Sequence, residues 1–505
     1  MDGPQRRIDK LTSILDVAKA MVAQRDLDAL LRMIVREAGR VVDADRCSLF
    51  LVDREEKVLY SKVAQGMGPS PRIRVPLGVG IAGATARTRR PINLPDAYAD
   101  SRFNRAVDLS TGYRTTSLLC VPMFNTDGDV AGVIQALNKA GGVPFSDEDE
   151  ELLLALGGQA ASAVENALLH EEIHQLFEGF VKASVVAIES RDSTTAGHSE
   201  RVARLTLALA DAVERDGRGP FAGIVFSPDQ RMELRYAALL HDFGKVGVRE
   251  HVLMKANKFH PHELTLVEHR FDYARKSFEA ESLRRQRDRL AAGERLDPVL
   301  MDEEAILSAK LRELEAAREL VRRCNRPTVL PAGISAPLAQ LAALSFLGPD
   351  GLPQTLLSAQ EVELLSIPKG SLSPAERLEI ESHVSHTYRF LKQIPWTRSL
   401  RRIPEIACGH HEKLDGTGYP LGKAGQEIGL EARMMAIADI YDALTVSDRP
   451  YKRSVSHDDA LEILSADVRS GKLDAEVFRV FVEADVPRRF LEDGEERTAE
   501  RAAAR

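Results

Sequence analysis

Histidines and carboxylates recur in short motifs through the second half of the chain. They are His198 in AGHSERV, His241 and Asp242 in HDFGK, His383 in ERLEIESH, His410 and His411 in CGHHEKLDGTGYP, and Asp439 in AIADIYDAL. Imidazoles and carboxylates together suit Fe, Mn or Zn, and an aspartate can bridge two ions. Two divalent ions about 3.5–4 Å apart activate water and stabilise both the attacking and the leaving oxygens of a phosphoryl displacement. The pattern predicts a dinuclear metal centre with no need for a serine, cysteine or threonine nucleophile.

Each motif taken alone has an ordinary structural explanation. His198 and His383 are also compatible with satisfied surface or core histidines, and Asp439 with a buried partner of an arginine. A charge in the apolar run around Asp439 is nevertheless costly unless it is paired or binds a metal. The occurrence of all the motifs in one helical domain favours the metal centre.

The motifs at 241–245 and 410–420 resemble those of the HD-GYP family, a branch of the HD phosphohydrolases that hydrolyses cyclic di-GMP. The resemblance covers residues 180–255 and 371–470 and includes AGHSERV and ADIYDALTVSDRPYK. It implies that the seven motif residues named above are metal ligands, with Asp242 as the bridging carboxylate. It also implies that Lys245 contacts the scissile phosphate and that Tyr419, Arg449 and Lys452 contact the substrate.

The chain departs from the family pattern at the position four residues before His198. Family members with three metals have a glutamate there, whereas this chain has Thr194. We therefore predict two ions, with iron or manganese favoured over zinc by the mixed imidazole and carboxylate ligands. Glu189 and Asp192 are alternative ligands, but neither has the family's spacing.

Two histidines in the sequence are candidates for the metal ligand that lies between Asp242 and His410 along the chain. The segment FHPHELTLVEH (259–269) weakly echoes LSPAERLEIESH (372–383), which makes His269 a rival to His383. We favour His383 because the chain after it reaches His410 at a spacing similar to that of the family.

The first part of the chain, residues 1–165, has the pattern of an α+β domain. Residues 8–40 have helical apolar spacing, short β-rich runs follow, and TDGD (126–129) predicts a hairpin. RCSLFLVD, LLCVPMFN and VIQALNKA resemble a GAF domain, a sensory fold with a central antiparallel sheet and flanking helices. The connecting helix, 166–190, is interpreted either as a rigid link and homodimer seam, together with the N-terminal helices, or as a helix packed on its own domain.

Five residues after the last predicted strand resemble the signature of cyclic-nucleotide-binding GAF domains. They are Asn138, Lys139, Phe145, Asp149 and Glu150. The resemblance implies a cyclic nucleotide as a ligand of this domain. The other interpretation, which we favour, is structural: a Lys–Asp pair that braces the sheet against the following helix.

The remainder, 180–485, has helical periodicity and no convincing strand, which predicts an all-α HD domain. A charged helical segment and a Pro- and Gly-rich return form an insertion at about 256–370. We interpret the insertion as a solvated spacer, with a protein-binding arm as the alternative. The polar tail, 486–505, is expected to be disordered.

Composition narrows the functional classes for the 505 residues. The net charge of -8 gives no global basic surface, so a nucleic acid polymer is not an expected partner. Four scattered cysteines argue for a reducing compartment, and no apolar run of about 18 residues is evident. We expect a cytoplasmic bacterial signalling protein without a membrane segment.

The resemblances together imply a cyclic di-GMP phosphodiesterase regulated by a GAF domain, with either linear pGpG or, after a second cleavage, GMP as the product. One rival is a phosphohydrolase of another cyclic dinucleotide or of a nucleotide. The other rival is a non-catalytic effector or scaffold that acts through protein partners.

Overall fold

The protein forms two compact units, Met1–Gly179 and Phe180–Arg505. This computed structural model describes residues 3–24, 26–64, 73–191, 196–331, 333–446 and 454–488. The first unit is α+β and the second is helical apart from one small hairpin, so the predicted fold class is confirmed.

The first unit surrounds a central sheet with helices. Its elements are α1 (Gly3–Ala23), α2 (Leu27–Val41), β1 (Ala44–Asp53), β2 (Val58–Ala64), β3 (Ile73–Pro76), α3 (Gly80–Thr88), β4 (Ile92–Leu94), α4 (Arg105–Thr111), β5 (Leu118–Phe124), β6 (Val130–Lys139) and the first part of α5 (Asp147–Arg191). The last part of α5, from Phe180, belongs to the second unit. The six strands follow the order β3-β2-β1-β6-β5-β4, and every neighbouring pair is antiparallel. The predicted hairpin at 126–129 joins β5 to β6.

Alternation along the strands divides the core between the two faces of the sheet. Leu49 and Leu51 face the cluster formed with α1, α2 and α5, whereas Phe50 faces the cluster formed with α3. This is the period of two expected for a strand covered on both sides.

The region predicted as one helix over 8–40 consists of two helices in the structure. Asp26 caps α2, since its carboxylate accepts a hydrogen bond from the Ala29 amide at 2.6 Å. The apolar spacing continues across the break because both helices cover the same sheet face, so periodicity alone did not reveal the boundary.

Helix α5 contains the predicted connecting helix, 166–190. By length and composition it is the one helix among the described residues that could cross a membrane, with a mean hydropathy of 1.3. Half of that window is buried inside the protein, where Leu152, Leu156 and Val164 belong to the core of the first unit. Leucines and alanines raise the mean hydropathy of this window without forming the continuous apolar run that sequence analysis looked for.

The second unit is built from helices and one short hairpin. Its elements are α6 (His198–Asp216), α7 (Pro228–Leu240), α8 (Glu250–Leu253), α9 (Pro261–Ala291), α10 (Leu296–Asn325), α11 (Ser335–Ala343), β7 (Ser345–Leu347), β8 (Pro353–Thr355), α12 (Ala359–Leu365), α13 (Pro374–Leu391), α14 (Ile403–Cys408), α15 (Leu430–Thr445), α16 (His457–Arg469) and α17 (Ala475–Glu483). Capping boxes at Ser227 and Ser373, each followed by proline, define where α7 and α13 begin.

The insertion has its own hydrophobic core. Phe271 on α9 and Val321 on α10 pack with Leu338, Phe346 and Leu365 from the segment that returns to α13. The return was expected to be loose, but it contains α11, α12 and the β7–β8 hairpin. The strands escaped sequence analysis because they have only three residues each, around a Gly348–Gly351 turn.

The two ends of the insertion meet at Lys258. Its ammonium donates to the carbonyls of Leu365 and Ile367, both at 2.7 Å, and its backbone amide donates to Asn325 O at 2.9 Å. The Lys258 side chain is fully buried, and burial lowers its pKa.

Candidate metal centre

Five separate elements bring the predicted ligands together. His198 begins α6, His241 and Asp242 directly follow α7, His383 lies on α13, the pair His410 and His411 follows α14, and Asp439 lies on α15. Three groups of these side chains have ligand atoms within 4.8 Å of one another: His383, His410 and His411; His198, His241 and Asp439; His241, Asp242 and His410. All seven predicted ligands therefore converge on one buried region.

Asp242 lies at the centre of this cluster. Its Oδ1 is 3.2 Å from His383 Nε2, and its Oδ2 is 3.4 Å from His241 Nε2 and 3.8 Å from His198 Nε2. A second carboxylate, Asp439, places Oδ1 at 3.1 Å from His198 Nε2. His269, the rival of His383, is exposed on α9 and belongs to none of the three groups.

In the part of the chain that the structure describes, three of the five histidines have an Nε2 atom without a hydrogen-bond partner. The Nδ1–H groups of His241 and His410 donate to the carbonyls three residues earlier, Ala238 at 2.7 Å and Ala407 at 2.6 Å, and His383 bonds Ile380 in the same way. Within the described residues, the buried Nε2 atoms of His241, His383 and His410 have no hydrogen-bond partner.

Those unpaired atoms indicate what the site is built to hold. Buried polar atoms in proteins are nearly always paired, and a metal-binding histidine usually donates its other N–H to a carbonyl or carboxylate. The residues present therefore fit divalent metal ions.

Electrostatics keep His410, His411 and Asp242 in the forms that bind metals. Burial lowers the pKa of His411 to about 4 and that of His410 well below its usual range, so both imidazoles are neutral. Burial alone would raise the pKa of Asp242, but Lys245 and the surrounding histidines hold it well below its usual value. Neutral imidazoles beside an ionised carboxylate are the donor set that divalent ions require.

The position of His198 attracts positive charge. Burial alone would lower the pKa of this imidazole, but hydrogen bonds with Asp439 and Asp442 outweigh burial and raise the pKa to about 9. The negative charge of Asp439 and Asp442 that favours a proton on His198 would favour a divalent cation at this position as well.

Sequence analysis missed two residues that support His198. Asp442 Oδ2 is 2.7 Å from His198 Nδ1, and Arg201 Nε donates to Asp442 Oδ1 at 2.7 Å. Asp442 lies one helical turn after Asp439 on α15, and Arg201 lies one turn after His198 on α6. That spacing was the available signal, because residues three apart share a helix face.

We expect the Asp442→Asn variant to bind metal about 10–100-fold more weakly, because an amide is a poorer acceptor for the N–H that orients His198. Competition with a metal-sensitive dye measures the dissociation constant. Asp458→Asn, an exposed change on α16, is the matched control and should bind like the parent. Equal affinities for both variants would show that Asp442 does not support the ligand.

The catalytic lysine predicted from the family lies beside the central carboxylate. Lys245 follows Asp242 in the short turn Phe243–Gly247, and its Nζ is 2.7 Å from Asp242 Oδ2. Its side chain is 14% exposed, so this cation is positioned where a ligand can reach it.

The loop with the Gly-Tyr-Pro sequence folds back on the histidine pair. Tyr419 N donates to His411 O at 3.2 Å, and the ring centroids of these two residues are 4.8 Å apart. A Cβ at Gly418 would lie 2.4 Å from Lys413 N, so only glycine allows this approach. Buried Glu412 fixes the loop by accepting from the amides of Leu421 and Lys423 at 2.8 and 2.9 Å.

Several predicted positions lie outside the described residues. These are Asp192, Thr194, Arg449 and Lys452. The two-ion count and the two cationic substrate contacts therefore stay predictions.

The GAF signature residues form a brace between the sheet and α5. Lys139 forms an ion pair with Asp149, whose Oδ2 also accepts from the Ser146 amide at 2.7 Å. Asn138 Oδ1 accepts from the Thr116 amide at 2.6 Å, and the Phe145 side chain is buried. These contacts favour the structural interpretation of the signature.

A separate cavity lies on the α3 side of the same sheet. It measures about 420 Å³ and is lined by Arg46, Phe50, Phe103, Tyr113 and Gln135 among others. None of the five signature residues lines it. Asn138 nevertheless reaches its wall, since Nδ2 donates to Tyr113 Oη at 3.0 Å.

We expect Lys139→Ala to lower the free energy of unfolding of the first unit by about 3–5 kcal/mol, because it leaves the buried Asp149 carboxylate without its counter-ion. Since the folded-state pKa of Asp149 is lowered, the ion pair stabilises above the unfolded pKa of about 3.9 and is lost as pH falls. The difference between parent and variant should therefore shrink in acid. Calorimetry of both proteins between neutral and acid pH tests this, with exposed Lys19→Ala as control. A difference that grows in acid would contradict the assignment.

Comparison with known proteins supports two domain types in this chain. Residues 26–164 match the GAF domain family, and residues 195–332 and 297–477 match two HD domain families. The two HD matches together include every predicted metal ligand.

Curated relatives match about a third of the chain. The dual 3',5'-cyclic-AMP and -GMP phosphodiesterase 11 of Drosophila melanogaster is 35% identical over 182 residues, 33% of this chain and 12% of that protein. The dual phosphodiesterase 11A of Takifugu rubripes is 40% identical over 166 residues, 31% of this chain and 18% of that protein. The chain therefore corresponds to less than a fifth of either relative's length.

Solved structures also include GAF domains. That of a phosphoenolpyruvate-protein phosphotransferase from Coxiella burnetii is 21% identical, with a TM-score of 0.30, and covers 33% of this chain and 98% of its own. Together, the family matches and the observed fold show that the chain combines an N-terminal GAF domain with a C-terminal HD domain.

Proposed function

We propose that this protein is a metal-dependent phosphodiesterase that hydrolyses cyclic di-GMP. The observation that carries the proposal is the convergence of five imidazoles and two carboxylates in one buried cluster, with the Lys245 ammonium beside Asp242. A binding-only domain has no need for so many buried metal-binding side chains, three of which have an Nε2 atom without a hydrogen-bond partner among the described residues.

The predicted ligands would hold two divalent ions, which when bound activate water and neutralise the charge that develops on phosphorus oxygens. Lys245 adds a fixed positive charge at the same place, where a phosphodiester is attracted and its developing charge stabilised. Asp442 and the backbone carbonyls orient four of the five imidazoles through contacts with their Nδ1 atoms. Tyr419, beside His411, provides an aromatic surface at the edge of the cluster.

The choice of cyclic di-GMP depends on the Gly-Tyr-Pro loop and on the resemblance that it supports. A dianionic cyclic dinucleotide needs local cations in a chain of net charge -8. Lys245 is one such cation, and we propose that Arg449 and Lys452 are others.

A second candidate substrate is a 3',5'-cyclic mononucleotide. The relatives described above are named as cyclic-AMP and cyclic-GMP phosphodiesterases, and the same metal cluster would serve that reaction. The cyclic nucleotide would then act at the HD domain, at the GAF cavity, or at both.

Incubation of the purified full chain with Mn²⁺ or Fe²⁺ tests both candidates. Cyclic di-GMP, cyclic AMP and cyclic GMP are supplied separately, and products are separated by chromatography. We expect conversion of cyclic di-GMP to pGpG and GMP, abolished by a chelator and restored by added metal. If only cyclic AMP or cyclic GMP is hydrolysed, the substrate is a cyclic mononucleotide instead. If none of the three nucleotides is hydrolysed, the non-catalytic effector is favoured.

We further propose that the GAF cavity regulates the enzyme by binding a small anionic ligand. Arg46 offers a cation in the cavity, while Phe50 and Phe103 provide apolar surface. Fluorescent cyclic AMP and cyclic GMP titrated against the full chain test the cyclic nucleotide. Saturable binding that survives Asp242→Asn but not Arg46→Ala would place the ligand in this cavity, and binding lost in Asp242→Asn alone would place it at the HD domain.

A homodimer through α5 remains our proposal for the assembly. Leu169, Ile173, Leu176 and Phe180 are exposed and follow the alternating spacing of a coiled-coil seam. Light scattering should give twice the chain mass for the parent and a monomer for Ile173→Glu. A parent monomer at micromolar concentration would exclude this assembly.

A further inference from the structure

The short turn that carries Lys245 is held by hydrogen bonds from several elements. Within it, Lys245 N donates to Asp242 O at 2.9 Å and Val248 N donates to Lys245 O at 3.0 Å. Helix α13 holds its first half, because Gly244 N donates to Thr387 Oγ1 at 2.8 Å. The direction of the Lys245 side chain depends on this backbone.

Helix α5 holds the second half of the turn through its last residue. Arg191 Nη1 donates to Val246 O at 2.7 Å, and Nη2 donates to Val248 O at 3.3 Å. A guanidinium suits this position because its fixed fork can engage two acceptors together. The carbonyls at the end of a helical turn also carry partial negative charge that favours a cation.

We propose that Arg191 is a positioning residue for Lys245 and that it links the end of α5 to the catalytic turn. The inference rests on the proposed phosphodiesterase function. Arg191 binds backbone carbonyls on both sides of Gly247 and touches none of the predicted metal ligands in the described contacts. A displacement of Arg191 would change those two hydrogen bonds and, through them, the position of the Lys245 ammonium beside Asp242.

A double-mutant cycle separates this role from a general structural one. If Arg191 acts through Lys245, its loss has no further effect once Lys245 is absent. If Arg191 only stabilises the domain or the metal cluster, the double variant should lose activity by the product of the two single-variant factors. Independent changes add in free energy and therefore multiply in rate.

The full-length, metal-loaded protein is compared with Arg191→Ala, Arg191→Lys, Lys245→Ala and the double variant. We expect Arg191→Ala to lower kcat about tenfold with KM and metal content unchanged, because small misplacements of a catalytic group are costly. Arg191→Lys, which keeps the charge but has a single donor nitrogen in place of the fork, should recover part of the loss. The double variant should match Lys245→Ala. Multiplicative losses, or a loss of bound metal in Arg191→Ala, would overturn the proposal.

Hydrogen–deuterium exchange provides a readout that does not need activity. Peptides covering 243–248 should exchange faster in Arg191→Ala, whereas exposed Arg215→Ala on α6, whose Nε donates to Asp211 O within its own helix, should leave them unchanged. Unchanged exchange in Arg191→Ala would contradict the link even in an active enzyme. Faster exchange in a protein that hydrolyses none of the nucleotides would instead reject the proposed function and keep the structural link.

Discussion

The Asp242→Asn protein is expected to lose its metal and about a thousandfold or more of its hydrolytic rate. Asp242 is the carboxylate within 3.2–3.8 Å of three imidazole Nε2 atoms, so it is the side chain best placed to bridge two ions. Asparagine keeps the shape of the aspartate side chain but removes the negative charge that would hold both cations. Bound metal stabilises the transition state by several kcal/mol, and each 1.36 kcal/mol of lost stabilisation lowers the rate about tenfold.

Metal content by mass spectrometry and kcat/KM for cyclic di-GMP measure the two effects together. Asp229→Asn is the matched control, since Asp229 is exposed in the first turn of α7, the helix that precedes Asp242. We expect that control to keep its metal and its rate. An Asp242→Asn protein with the full complement of ions and normal turnover would remove Asp242 from the centre.

Gly244→Ala is expected to disrupt the site without changing a ligand. A Cβ at this position would lie 1.9 Å from His383 O and 2.5 Å from Thr387 N, both backbone atoms that cannot rotate away. The turn that carries Lys245, with Asp242 directly before it, must then separate from α13, which carries His383. We expect a loss of at least 1–3 kcal/mol in the free energy of unfolding, as for overpacking, together with loss of metal.

Calorimetry and metal content again provide the measurement for this variant. Gly158→Ala on α5 is the control, because nothing lies within 4 Å of its Cβ position. Adding a methyl group to a helix with free space should be neutral or stabilise by up to about 1 kcal/mol. If both alanine variants behave alike, the close approach of the turn to α13 is not a constraint.

The ligand side chains could be predicted from the sequence, whereas the groups that orient them could not. Short motifs whose residue types are typical of metal sites contain His241, Asp242, His410 and His411. Asp442, Arg201 and Thr387 act across helices that are far apart in the chain, so their partners depend on tertiary packing. Periodicity predicts that a residue lies on a buried face but does not identify the residue opposite.

The GAF signature shows a related limit of sequence analysis. Lys139 and Asp149 were recognised as a pair with two interpretations, and their contacts favour the brace. The cavity on the other side of the sheet could not be predicted, because its walls come from β1, α3, α4 and β6 rather than from a single motif. The charged first part of the insertion has a helical pattern in the sequence, but the apolar residues of its Pro- and Gly-rich second part are too widely spaced to reveal a shared core.

The contact of Lys258 with Ile367 has a consequence for how the chain folds. His241 and His383 are far apart in sequence, and closing such a long loop would slow the assembly of the site. The insertion packs around its own core, and its two ends lie next to each other at Lys258. Once the insertion has folded, the loop that must close between His241 and His383 is therefore short. The same geometry makes the segment exchangeable: a different polypeptide with adjacent ends could replace it while the helices on either side keep their places.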